Sequence, residues 1–277
     1  MATEKWKIWT ARDARQSIVM PSVDDDKYSR GVLGIIAGSE KYPGAAVLTC
    51  QAAMRTGIGM VRYCGPSSVK DLVLASRPEV VTAQGQVNAW LLGSGIDSND
   101  LGYFRSRKLR SAIGEGLPVI LDAGAIIRAR KINGPTLITP HYRELQRLLS
   151  ERGISVTASA IEGAPKKWAS YAAEEFGVTV LLKGNVSVVS SKERQIQLPA
   201  STSWLATAGT GDVLSGIIGA LVATQTVEIE KNSEKLVAIA ATGAYIHSRA
   251  AAIATKSGPI VAMDVVRFIS KAISEIL

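Results

Sequence analysis

The sequence predicts an α/β fold, with a largely parallel central sheet layered between helices. Two observations predict it. Short apolar runs that end in glycine or a turn recur along the chain, as buried parallel strands do. Segments of helical pattern alternate with them, with no linker rich in Pro, Gly or Ser, no charge block and no internal repeat between. The alternation therefore reads as one domain over residues 1–277, in which residues 1–26 are an irregular, polar N-terminal segment.

Taken in order, GVLGIIAG at 31–38 is the first buried strand. A helix follows over 43–55, with Pro43 in its first turn and Gly57 beyond its end. Residues 60–64 read as a strand, 67–76 as a helix, and 79–82 and 90–93 as short strands. An amphipathic helix is expected over 101–113, a strand at 118–121, a short helix at 125–130, a strand at 136–138 and a helix at 141–150. One longer helix is expected over 158–176. The β-branched strand 178–182 turns at Gly184 and Asn185 into two pairing strands, 186–190 and 195–198. After Gly209 the chain reads as helical over 212–224, 233–254 and 263–277.

Composition narrows the class. The chain has 277 residues, and an apolar fraction of 47% supports a large core and excludes a disordered chain. The net charge of +8 fits either a nucleic-acid surface or an enzyme for anionic small molecules. The cations are scattered, densest at 105–110 and 128–131 and without interleaved aromatics, so nucleic acid is not an expected partner. Cys50 and Cys64 make no CxxC and read as reduced core thiols of a cytoplasmic protein. The N-terminus carries no secretory pattern. The longest apolar stretches, 213–224 and 236–246, are shorter than the ~20 residues that span a bilayer, so no membrane is expected.

The glycine clusters after strands are where such folds place ligands. The sharpest is Gly209-Thr210-Gly211-Asp212, entering the helix VLSG. Small residues there admit close backbone approach, and helix-start N–H groups bind anions. Asp212 could take a proton from a substrate hydroxyl, or it could simply cap the helix. Lys183-Gly184-Asn185 ends a strand and could meet a phosphate or ribose, or form an ordinary hairpin turn. Gly38-Ser39 with Pro43-Gly44-Ala45-Ala46 could seat a ligand on a helix N-terminus, or pack a helix tightly on the sheet. Gly93-Ser94-Gly95 lacks the third glycine of a dinucleotide fingerprint, since position 98 is Ser98. His141, with Glu144 three residues on, could touch substrate or cap its helix. His247 lies inside a helix and reads as packing or surface. Asp122 alone is not a metal cage, and no metal-ligand set is expected. Neither a GxSxG elbow nor a Walker A loop occurs.

Together these residues resemble the ribokinase-like superfamily and, within it, the ADP-dependent NAD(P)H-hydrate dehydratases. The resemblance runs from about Lys27 to the C-terminus, through YSRGVLGIIAGSEKYPGAA, LLGSGI, ILDAGA, ITPHYRE, LLKGN and LATAGTGDVLSG. The chain differs in carrying Asp24-Asp25-Asp26 where relatives often have a histidine before the lysine. The resemblance implies a three-layer α/β/α fold and a repair reaction. ADP would phosphorylate the ring hydroxyl of the S epimer of hydrated NADH or NADPH, and phosphate would then be eliminated, with Mg²⁺ on the phosphates. It implies Asp212 as base, with Gly209, Thr210 and Gly211 holding the transferring phosphoryl group. Ala45, Gly95, His141 and Asp212 would touch the hydrated dinucleotide. Lys183, Gly184, Asn185, Val186, Ser187 and Gly211 would touch the adenine nucleotide. It also implies a homotetramer and a separate epimerase, since the chain lacks the N-terminal epimerase domain fused in some relatives. A small-molecule kinase of the same superfamily and a non-catalytic nucleotide sensor are the alternatives.

Overall fold

The computed structural model describes residues 6–97, 103–129 and 132–277. Among the described residues nine strands form one sheet in the order β1-β9-β8-β7-β6-β5-β4-β2-β3. They are β1 (Lys7–Ile8), β2 (Val32–Ile36), β3 (Met60–Tyr63), β4 (Ala89–Leu92), β5 (Val119–Leu121), β6 (Thr136–Ile138), β7 (Thr179–Leu182), β8 (Val188–Ser190) and β9 (Gln195–Gln197). Neighbouring strands run parallel except where β8 meets β7 and β9. The expectation of an α/β fold with a largely parallel sheet is met.

Period-two alternation explains the layers. Leu33, Ile35, Leu91, Ile120, Leu137, Leu181 and Val189 point into one apolar cluster. Their neighbours Ile36, Leu92, Val119, Leu121, Ile138, Val180 and Val188 point into another. The first cluster is completed by α2 (Pro43–Arg55), α3 (Ser67–Ser76), α8 (Thr210–Ala223), α10 (Lys235–Ala254) and α11 (Ala262–Ile276). The second is completed by α4 (Tyr103–Gly114), α5 (Tyr142–Ser150), α6 (Ala158–Gly163), α7 (Pro165–Phe176) and a 3-10 turn, Ala123–Arg128. A strand buried on both faces has no polar side to show, which is why these strands read as unbroken apolar runs.

Several expectations need correction. The segment 1–26 is not wholly irregular: β1 pairs with β9, and α1 (Ala11–Gln16) follows. Thr10 and Asp13 form a capping box, and Trp9 is 2% exposed with its indole N–H donating to Thr242 on α10. Residues 1–5 lie outside the described part, as do Ser98, the start of the helix expected from Leu101, and Arg130 and Lys131. The helix expected over 158–176 breaks into α6 and α7. Pro165 lacks an N–H and drives Ala164 before it out of the helical region, to φ −143° and ψ 56°. Residues 79–82 make only an isolated bridge, Arg62 to Val81, and α9 (Thr226–Lys231) was not expected. The apolar stretch at 236–246 belongs to a longer helical run, Lys235–Ser257, which is long and apolar enough to cross a membrane by length and composition. Most of its residues are buried against the sheet and neighbouring helices, as those of a core helix are. Cys50 and Cys64 are both free.

Candidate functional site

The sheet reverses its winding between β2 and β4, and the crevice beyond their carboxyl ends is a natural ligand position. Gly38 N–H donates to the Ser94 carbonyl at 2.8 Å, and the Ser39 hydroxyl donates to the Gly95 carbonyl at 2.8 Å. Gly95 has φ +66°, and a Cβ there would fall 2.3 Å from the Ala45 Cβ. Ala45 and Gly95 therefore meet across this crevice, and a side chain at Gly95 would collide with Ala45.

Beside it, the ends of β5, β6 and β7 hold a charge cluster built around one buried carboxylate. Asp122, 2% exposed, accepts hydrogen bonds from the Ser94 and Thr139 hydroxyls, each at 2.8 Å. Lys183 Nζ lies 3.0 Å from the Asp122 carboxylate and 3.7 Å from Glu144. Burial alone would raise the Asp122 carboxyl, but the Lys183 charge and these hydrogen bonds outweigh it and hold it below the ordinary value. Burial likewise opposes the Lys183 ammonium, and the Asp122 and Glu144 carboxylates more than offset it, so Lys183 stays charged.

His141 is the N-cap of α5: its Nδ1 accepts from the amides of Arg143 and Glu144, and Glu144 reaches back to its N–H at 2.8 Å. The capping role is met, and His141 also lines the cavity described below. Its imidazole is held below the ordinary value, chiefly by burial.

Asp212 does not cap α8. The N-cap is Gly209, at φ +88°, with no side-chain hydrogen bond, and a Cβ there would strike Leu48 at 2.5 Å. Asp212 sits in the first turn instead. The Thr210 amide turns back to the Thr207 carbonyl at 3.4 Å, and Gly211 and Asp212 amides are those that helix geometry leaves without intrahelical acceptors. Thus Thr210 is engaged in the loop, while Gly211 faces the cavity with the Lys183 ammonium close by. Burial, then the Asp122 charge, pushes the Asp212 carboxyl up to about 7. A carboxylate poised near neutrality is matched to proton transfer at working pH.

A cavity of about 580 Å³ opens over this cluster. Lys183, Gly184, Asn185, Ser187, Thr210 and Gly211 line it, joined by the loop 201–207, by Leu214, and by Ala244 and His247 of α10. Val186, expected among the nucleotide contacts, does not line it, and neither do Gly209, Asp212, Ala45 or Gly95. Gly184 packs under Tyr142, whose hydroxyl would have to shift to admit a side chain there. Sequence reasoning missed the Asp122–Lys183 pairing and the cavity-facing place of His247. The only sequence signal for the former was a polar residue ending each of two strands.

Among the described residues no three His, Cys, Asp or Glu side chains cluster as metal ligands. Asp122 is already saturated by Lys183, Ser94 and Thr139. A magnesium ion would have to arrive on ligand phosphates rather than in a protein cage. Asp26, the other position of interest, accepts from the Tyr28 and Ser29 amides and shapes a turn.

A family model described as NAD(P)H-hydrate dehydratase matches residues 33–274. The chain belongs to this family. It is 40% identical over 254 residues to the bifunctional NAD(P)H-hydrate repair enzyme Nnr of Mycobacterium leprae, covering 87% of this chain and 49% of that protein. It thus spans about half the length of that relative. It is 32% identical over 267 residues to the ADP-dependent (S)-NAD(P)H-hydrate dehydratase of Neisseria meningitidis, covering 86% of this chain and 82% of that one. The structure of the Bacillus subtilis ADP/ATP-dependent NAD(P)H-hydrate dehydratase, co-crystallised with ATP/Mg²⁺, superposes with TM-score 0.85 at 23% identity, covering 99% and 100% of the two chains. A hydroxyethylthiazole kinase from Pyrococcus horikoshii has the same fold at TM-score 0.65. The expected ribokinase-like three-layer architecture is therefore met.

Proposed function

We propose that this chain restores hydrated NADH or NADPH, in its S epimer, to the dinucleotide at the expense of ADP. The observation that carries the proposal is Asp212: a half-buried carboxyl raised to about 7, on an uncapped helix start beside a cavity lined by a half-buried lysine. The names of the Neisseria and Mycobacterium relatives support the substrate.

The ADP would lie in the cavity against Lys183, Gly184, Asn185 and Ser187, with Val186 carried in the same turn. Its terminal phosphate would face Gly211 and Lys183, within reach of Gly209 and Thr210. The hydrated dinucleotide would enter along Ala45 and Gly95 and reach His141 and Asp212. Asp212 then takes the ring hydroxyl's proton as that oxygen attacks the terminal phosphorus, and the bond to AMP breaks. The ring C–O bond cleaves next, and phosphate leaves with its electron pair; the neighbouring carbon gives its proton to the departing phosphate or to water, and the C–H electron pair closes the ring double bond. NAD(P)H, AMP and phosphate leave. Magnesium bound to the phosphates would offset their charge. Lys183 would add a fixed positive charge at the same place, held by Asp122 and Glu144.

Asp212 must be ionised to act, so kcat/KM for recovery of NADPH is expected to climb with pH, roughly tenfold per unit below about 7, and to level above it. A flat profile through neutrality would remove Asp212 as base. The remaining parts of the reading are a single domain, a homotetramer, a cytoplasmic setting and reliance on an epimerase to supply the S form. They rest on resemblance, and size-exclusion chromatography with light scattering tests the tetramer.

A further inference from the structure

His141 caps α5 with its ring, where a short polar side chain is the usual cap. Nδ1 accepts the amide hydrogens of Arg143 at 3.2 Å and of Glu144 at 3.3 Å. A ring nitrogen that accepts a hydrogen bond carries no proton of its own. The single proton of the neutral imidazole then sits on Nε2. Capping thus fixes the tautomer and makes Nε2 a donor.

The same two hydrogen bonds oppose the imidazolium, which would point a second N–H at the two amide hydrogens. Four charged groups surround the ring: Glu144 and Arg143 on its own helix, Asp122 at the end of β5 and Lys183 at the end of β7. No lone pair of the ring is left to take a proton from a substrate.

The donor is open to the cavity. The side chain keeps 51% of its surface exposed, and the residue lines the cavity of about 580 Å³. Nε2 lies 3.7 Å from a Glu144 carboxylate oxygen, too far for a hydrogen bond. Lys183 Nζ lies 3.7 Å from the same oxygen, and a Cβ on Gly211 would fall 3.7 Å from that ammonium. An imidazole N–H, an ammonium and the open amide end of α8 therefore gather at one part of the cavity. Several donors with a positive charge among them suit an anion with several acceptor oxygens, which is the chemistry of a phosphate.

We propose that the Nε2–H of His141 donates a hydrogen bond to a phosphate oxygen of a bound ligand, and that His141 moves no proton in the reaction. This deepens the reading of the cavity as the ADP site and rests on it. The oxygen belongs to the terminal phosphate of ADP or to the pyrophosphate of the dinucleotide. His141 is then a fixed donor, held in its working tautomer by the helix that it caps.

Nitrogen-15 spectra of the imidazole rings and two substitutions test it. At neutral pH wild type is expected to show His141 protonated on Nε2 and bare on Nδ1. A ring protonated on Nδ1 would overturn the inference. His141→Asn keeps a capping oxygen but falls short of the Nε2 position. It is expected to melt with wild type and yet to bind ADP or NADPH roughly tenfold more weakly by isothermal titration. A loss for ADP but not AMP places the oxygen on the terminal phosphate, and a loss for NADPH places it on the dinucleotide. His141→Gln keeps an N–H donor near the Nε2 position and lacks the cap. It is expected to melt roughly 2 °C lower while binding within about threefold of wild type. Asn binding both ligands within about twofold of wild type, or Gln losing as much affinity as Asn, would overturn the inference. Should a variant fail to fold, the wild-type Nε2–H resonance decides: it should move when ADP or NADPH is added, and a resonance indifferent to both overturns the proposal. Wild type that binds ADP but restores no hydrated NADPH would overturn the functional reading, and the spectra and titrations would still judge the donor.

Discussion

Asp212→Asn is expected to separate activity from stability. Turnover should fall by at least ~100-fold, the lower range for loss of a general base, while ADP still binds. The same change should stabilise the fold. The carboxyl is pushed from its ordinary 3.8 to about 7 by burial and the Asp122 charge, so folding favours the protonated form. Its contribution is therefore fully present below the unfolded pKa and is lost as pH rises through about 7. Near pH 8, wild type carries an ionised, half-buried Asp212 whose cost is on the order of 4 kcal/mol at most. Asparagine carries none. Thermal unfolding across pH should show the variant ahead above neutrality and the gap closing toward acid. A variant that turns over normally, or that is no more stable at any pH, would contradict the account of this residue.

The second large effect concerns the cluster that supports it. Lys183→Met is expected to destabilise the chain by about 3 kcal/mol at neutral pH, because it strands a buried Asp122 carboxylate. With the lysine gone, burial raises the Asp122 carboxyl, so the deficit should shrink as pH falls and Asp122 takes a proton. The variant should also lose ADP affinity, since Lys183 lines the cavity. Denaturant titrations at two pH values check the first part. A loss that is small and independent of pH would mean that Lys183 is not the counter-charge the geometry makes it. The pair is also an instance of two strand ends meeting, since Pro140 and Lys183 are joined by a backbone hydrogen bond at 2.8 Å.

The legibility of the fold follows from its physics. Strands β2, β4, β5, β6 and β7 are buried on both faces, so they stand out as apolar runs with turn residues at their ends. Pro43 and Gly57 bracketed α2 for the same local reasons. What escaped were elements whose identity depends on tertiary partners. Strand β1 is two residues long and exists through its pairing with β9. Helix α1 rests on one capping box and on the anchor Trp9. The site divides the same way. The glycine turn before Asp212 is a local signal, because helix start, small residues and carboxylate are contiguous. Asp122 and Lys183 lie 61 positions apart, and only the parallel order of β5, β6 and β7 brings them together. His247 gave no sign because helical spacing says that a residue is inward, not that it faces a cavity rather than a core.

The surplus of eight positive charges is not gathered at the cavity. Among the described residues, Lys183 is its one Lys or Arg, and two histidines are its other ionisable groups. Affinity for a polyanion would then come from helix-start amides and one preorganised ammonium more than from a broad basic surface.

The central claim is that this site removes a ring hydroxyl through a transient phosphate ester. It is tested most directly by incubating the protein with hydrated NADPH and ADP, following the reduced-nicotinamide absorbance together with AMP and inorganic phosphate. The account predicts that absorbance returns and that AMP and free phosphate appear in equal amounts with it. A phosphorylated product that accumulates without recovery of NADPH would contradict it and make the chain a kinase.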